Sequence, residues 1–171
     1  YQHSGLTDIT STIRDLGARV GRVRESRELA DRIEADIDAV RKRVAGRPRP
    51  RTLLVFGRDA ETLRGIYASG GIGFLHDMLE AAGGENVFAD VKRQSIQATS
   101  ELVITRAPDV IVEIGADTAS SSGRNLGAWN TLASVPAVRN QRIYLLTGDG
   151  MMTPGPRISE SIRRMADALH K

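Results

Sequence analysis

The chain has 171 residues, 40% of them hydrophobic and 26% charged, with a net charge of +3. These values exclude a disordered chain and suffice for one buried core, and the spread of the basic residues, with few aromatics among them, argues against a nucleic-acid surface. Cysteine is absent, which excludes disulfides, thiolate metal sites and a cysteine nucleophile.

No apolar run approaches the ~18 residues that a membrane span needs. The start at Tyr1, without methionine, reads as a mature or truncated product whose targeting segment has been removed. The first elements are helical. Ile9, Ile13 and Leu16 share one face of a helix over 7–16, with Thr7 or Asp8 as its cap. A second helix over about 24–45 carries the stripe Leu29, Ile33, Ile37, Val40 and Val44, acids early and Arg41, Lys42 and Arg43 at its end, an order that suits the helix dipole. The sequence Gly-Arg-Pro-Arg-Pro at 46–50 ends it.

The period then changes. Residues 52–56 (TLLVF), 110–114 (VIVEI) and 142–146 (RIYLL) are short continuous apolar runs, the pattern of strands buried on both faces. Between them the pattern predicts a helix over 72–82 stopped by Gly83 and Gly84, a loop over 86–99, and a short helix capped by Ser100. A helix around 126–132 and a last one from about 154–156 through Leu169 complete the order. This alternation predicts an α/β fold: an open, mostly parallel sheet flanked by helices and preceded by a helical segment, divided as 1–50 and 51–171. Ligands on such sheets sit beyond the carboxyl ends of the strands. That rule selects four loops, 57–73, 92–99, 115–124 and 147–157.

Little in those loops suggests catalysis. His3, His76 and His170 are scattered, and His76 is expected to have a surface or satisfied-core role. The glycines at 70, 71 and 73 could cradle a phosphate but lack the P-loop lysine and the dinucleotide spacing, so close approach or a simple turn is preferred. Ser120, Ser121 and Ser122 lack a nucleophile-elbow pattern. Glu113 falls in a strand, where it could reach the sheet end or pair with an arginine, and Trp129 is expected to pack rather than to serve as a ligand platform. No enzyme, metal site or cofactor is expected.

Several segments read together: 50–55 (PRTLLV), 79–90 (LEAAGGENVFAD), 99–103 (TSELV), 107–112 (APDVIV), 136–144 (PAVRNQRIY) and 154–158 (PGPRI). In this order the chain resembles the carboxy-terminal lobe of class III periplasmic solute-binding proteins, which include the binding proteins for vitamin B12, haem and ferric siderophores. The helices before Arg51 resemble that family's connecting segment. The resemblance implies one lobe of a two-lobed, non-enzymatic binding protein of an ABC importer. Its ligand is then a metal-chelate small molecule, first a corrinoid, with haem or a ferric siderophore as the alternative. A small α/β nucleotide-binding domain is the more remote reading. The implied partner is the transporter permease, the location is periplasmic or otherwise extracytoplasmic, and any membrane contact runs through the permease or a removed lipid anchor. The resemblance assigns Glu101 to permease docking and the loop 148–157 to the ligand, with Asp149, Met151, Met152 and Arg157 as contacts. Arg58, Tyr67, Lys92 and Arg93 are further rim residues, the lysine–arginine pair suiting an anionic group.

Overall fold

The structure is a computed structural model that describes residues 5–116 and 124–171. The serines at 120–122 therefore lie outside the described residues. Helices α1 (Leu6–Arg19) and α2 (Val23–Val44) form a hairpin ahead of strand β1 (Arg51–Gly57). Then come β2 (Ile66–Ser69), α3 (Phe74–Ala81), β3 (Glu85–Asn86), β4 (Ser95–Ala98), α4 (Ser100–Arg106) and β5 (Val110–Gly115). A 3-10 helix (Leu126–Leu132), α5 (Pro136–Arg139), β6 (Ile143–Thr147), α6 (Asp149–Met152) and α7 (Ile158–Leu169) complete the chain.

The sheet order is β4-β2-β1-β5-β6, with β3 on the start of β1. The three strands expected from the apolar runs, β1, β5 and β6, pair in parallel, with Leu53 opposite Ile111 and Ile111 opposite Ile143. Alternate residues of these strands face two separate cores. Leu54, Val112 and Ile114 meet α1, α2, α3 and α7, whereas Leu53, Val55 and Ile111 meet Phe88, Val103, Trp129 and Val138. Burial on both faces is the reason β1 and β5 read as unbroken apolar runs, whereas β6, at the sheet edge, is only half-buried along its length.

Several expectations change. The regions 57–73 and 86–99, read as loops, contain β2, which pairs antiparallel with β1, and β4, which pairs antiparallel with β2. Both strands are four residues long and β4 has polar residues at Ser95 and Gln97, so neither carries the apolar run that marks an interior strand. The α4 cap is Thr99, whose hydroxyl accepts from Leu102 N, and Ser100 is the first helical residue. Neither Thr7 nor Asp8 caps α1. The helix begins at Leu6, and its N–H donates to Asp77 Oδ2 of α3 at 3.1 Å.

Two glycine pairs set how closely segments approach. A Cβ on Gly70 or Gly71 would lie 2.1 Å from Arg93 O or 2.2 Å from Ala89 O. The hydrogen bonds Gly70 N to Gln94 O and Gly71 N to Val91 O seal this contact. The glycine loop is thus filled by the backbone of 89–94, which explains it without a phosphate. Gly83 (φ +83) ends α3 against Val44 and His170 in a conformation that favours glycine.

The stripe on α2 is buried at Ala30, Ile33, Ile37, Val40 and Val44, and α7 covers it with Ile158, Ile162 and Met165. Across the α1–α2 hairpin, Arg14 holds both Glu34 (2.8 Å) and Asp31 (2.7 Å). The Glu34 carboxyl drops from 4.5 to about 2, first through its hydrogen bond to Arg14 and then through Thr10. Because the folded value is depressed, this contribution is present above pH 4.5 and is lost as pH falls through about 2. Solvent exposure keeps the gain small. In Arg14→Ala, NMR titration of Glu34 is expected to return the carboxyl most of the way to its ordinary value. An unchanged titration would remove Arg14 as the cause.

Candidate ligand-binding wall at the carboxyl ends of the strands

The parallel strands β1, β5 and β6 end at Gly57, Gly115 and Thr147, and two hollows open there. One of about 400 Å³ is lined by Ala116, Asp149, Met152, Thr153, Pro156 and Arg157. The other, about 250 Å³, is lined by Phe56, Ile72, Phe74, Leu75, Gln94 and Ser95. A larger hollow of about 600 Å³ lies at the other end of the sheet. Its Arg49 and Arg142 are already bound to the carbonyls of Gly84 and Leu169. The strand-end position and the more apolar lining favour the first two as the ligand side.

The loop after β6 is tied down before it reaches the first hollow. Gly148 N donates to Gly115 O, and Arg164 Nη1 donates to Thr147 O at 2.8 Å. Asp149 then opens α6, and Arg157 Nη2 donates to its Oδ2 at 3.3 Å, with both side chains exposed. This pair presents a hydrogen-bonding rim of both charges. Met152 lines the hollow, whereas Met151 is fully buried in the core beneath. Tyr67 is exposed and packs its ring 6.3 Å from Phe56, beside the second hollow. Lys92 and Arg93 are exposed on the turn before β4, Lys92 donating to Ala89 O. They stand next to Gln94 but line neither hollow.

Arg58 behaves differently from the other rim residues. Its Nε donates to Glu113 Oε1 at 2.7 Å, its Nη1 to the carbonyls of Asp59, Ala60 and Thr62, and its Nη2 to Asn125 O. Glu113 is fully buried. It also accepts from Trp129 Nε1 at 2.6 Å and from Arg124 Nη1 at 3.5 Å. Trp129 is fully buried, with the Arg58 guanidinium 5.8 Å from its ring centroid. The sequence flagged Glu113 and Trp129 one at a time. Their convergence depends on contacts 11 to 55 residues apart, which no local spacing announces.

Glu101 stands exposed in the first turn of α4, its carboxyl lowered by the local backbone N–H and by the Thr99 hydroxyl. It is thus a fixed negative charge at a helix start. His76 meets the buried Asn86 at 3.3 Å, and His170 meets Ala82 O at 3.2 Å. Asn86 also donates to Gly70 O and accepts from Phe88 N, so it fastens the glycine loop to β3.

A family model described as "Periplasmic binding protein" matches residues 2–149. The chain belongs to the periplasmic binding protein family. This is a family of binding proteins rather than of enzymes. The Cobalamin-binding protein of Halobacterium salinarum is 30% identical over 171 residues, covering 97% of this chain and 44% of that one. The Vitamin B12-binding protein of Salmonella typhimurium is 26% identical, covering 96% and 57%. A solved ABC transporter substrate-binding protein from Listeria monocytogenes superposes with a TM-score of 0.86 at 24% identity, covering 98% of this chain and 66% of that one. The chain thus spans about half the length of the curated relatives it matches. The fold shared with the Listeria protein is the α/β lobe with its preceding helices. No described helix is long and apolar enough to cross a membrane.

Proposed function

We propose that this family member acts as one wall of the ligand trap of an ABC importer and that its cargo is a metal-chelate nutrient, a corrinoid first. The observation that carries the reading is the 30% identity to a cobalamin-binding protein over 97% of this chain. The two hollows at the strand ends support it, since their linings combine apolar surface with a few polar groups. In this reading Asp149, Met152 and Arg157 touch the cargo from the loop after β6. Tyr67 and the Lys92–Arg93 pair form the outer rim. Met151 and Arg58 act from beneath, through packing and hydrogen bonds. Glu101 meets cationic residues of the permease on the extracytoplasmic side.

Exposed Lys92 and Arg93 favour a second cargo of the same class, a chelate with carboxylates such as haem. Absorbance titration of the chain with cyanocobalamin and with hemin separates the two. The corrinoid is expected to saturate at the lower concentration, and Arg157→Ala is expected to weaken it roughly tenfold, the size of one charge-assisted hydrogen bond. Saturation by hemin alone would replace the corrinoid with haem, and no spectral change with either would sink the cargo reading.

A further inference from the structure

A buried ion pair is weak as a source of stability, because apolar residues of the same volume do as well or better. Yet Glu113, fully buried within β5, gathers three donors from two separate segments: Arg58 after β1, and Arg124 and Trp129 from the stretch that enters and forms the 3-10 helix. What this arrangement adds is stitching. Arg58 collects three carbonyls of its own loop and the carbonyl of Asn125. Asn125 N returns a bond to Ala60 O, and Asn125 Nδ2 bonds Glu61 Oε2. Arg124 Nη1 and Nη2 reach Ile114 O and Phe56 O, at the ends of β5 and β1. The segments 58–62 and 124–125 are thereby joined as one body over the strand ends.

We infer that Glu113, with Arg58, Arg124 and Trp129, is a positioning centre that holds these two segments in one fixed arrangement, so that this side of the wall is set before any ligand arrives. The inference deepens the proposed function and rests on it only for the ligand. Fixing the wall in advance removes ordering costs from binding.

The test uses two variants of the chain, Glu113→Gln, which keeps shape but removes the charge, and Arg124→Ala, which removes the outermost member of the cluster, 10% exposed at its side chain. Native-state hydrogen exchange reads the amides of Asp59 and Asn125, which bond to Arg64 O and Ala60 O. Both are expected to exchange roughly tenfold faster in each variant that folds, while Ile37 in the middle of α2 stays at its wild-type rate. The cyanocobalamin and hemin titrations are repeated on the same samples. Whichever ligand wild type binds is expected to bind the variants several-fold more weakly. If wild type binds neither, the cargo reading fails while exchange still decides the positioning. Unchanged exchange at Asp59 and Asn125, or equal acceleration at Ile37, overturns the inference, the second because it marks a merely structural role.

Discussion

Glu113→Ala is expected to lower the stability of the chain by about 3–5 kcal/mol, the usual cost of leaving a buried charge without its partner. The side chain is fully buried, so its partners lie away from bulk solvent. Its removal leaves the Arg58 Nε–H and the Trp129 Nε1–H without their acceptor and brings Arg58 and Arg124 together with no negative charge between them. Urea unfolding followed by circular dichroism measures the effect. With a slope of about 2 kcal/mol/M, the midpoint should fall by roughly 2 M with little change in slope. A fall worth less than 1 kcal/mol would mean that solvent reaches the arginines. In contrast, Glu113→Gln keeps an acceptor for Trp129 and should unfold between the two.

Asn86→Leu should cost about 3 kcal/mol by a different route. Asn86 is nearly inaccessible, and its amide works in both directions: Oδ1 accepts from Phe88 N at 2.9 Å, while Nδ2 donates to Gly70 O at 2.9 Å. Leucine fills similar volume without either function. The Phe88 N–H is then buried without an acceptor, at about 1–3 kcal/mol, and the bond to the glycine loop is lost as well. Packing around a branched side chain adds strain. Thermal unfolding is the measurement, and for a chain of this size each 1 kcal/mol shifts Tm by about 2–4 °C. A Tm within 2 °C of wild type would show that the loop and β3 are held by their backbone contacts alone.

The main architecture was legible because its cause is local. Leu53–Leu54–Val55 and Val110–Ile111–Val112 are apolar at every position since both sheet faces are covered, and the stripe Ile33, Ile37, Val40 and Val44 carries helical spacing. Strands β2 and β4 were not legible. Ile66–Ser69 and Ser95–Ala98 are too short for a period, and they are strands because the first pairs with β1 and the second with the first. The caps failed for a related reason: Asp77, which serves the start of α1, lies 71 residues from the N–H it accepts from. The family resemblance pointed to the loop after β6, and the structure sets Asp149, Met152 and Arg157 around one hollow there. It could not separate Met152 from Met151, because neighbouring residues of a helical turn point about 100° apart and only the packed core decides which one is sheltered.

The packing of α2 against α7 has a consequence for biosynthesis. The apolar stripe of α2 leaves the ribosome well before α7, the helix that covers it. About 110 residues separate Val44 from Ile158, on the order of ten seconds of translation at ~5–20 residues per second. For that interval the nascent hairpin carries an unsheltered greasy ridge. Slowing elongation after residue 50 should therefore raise the fraction lost to aggregates.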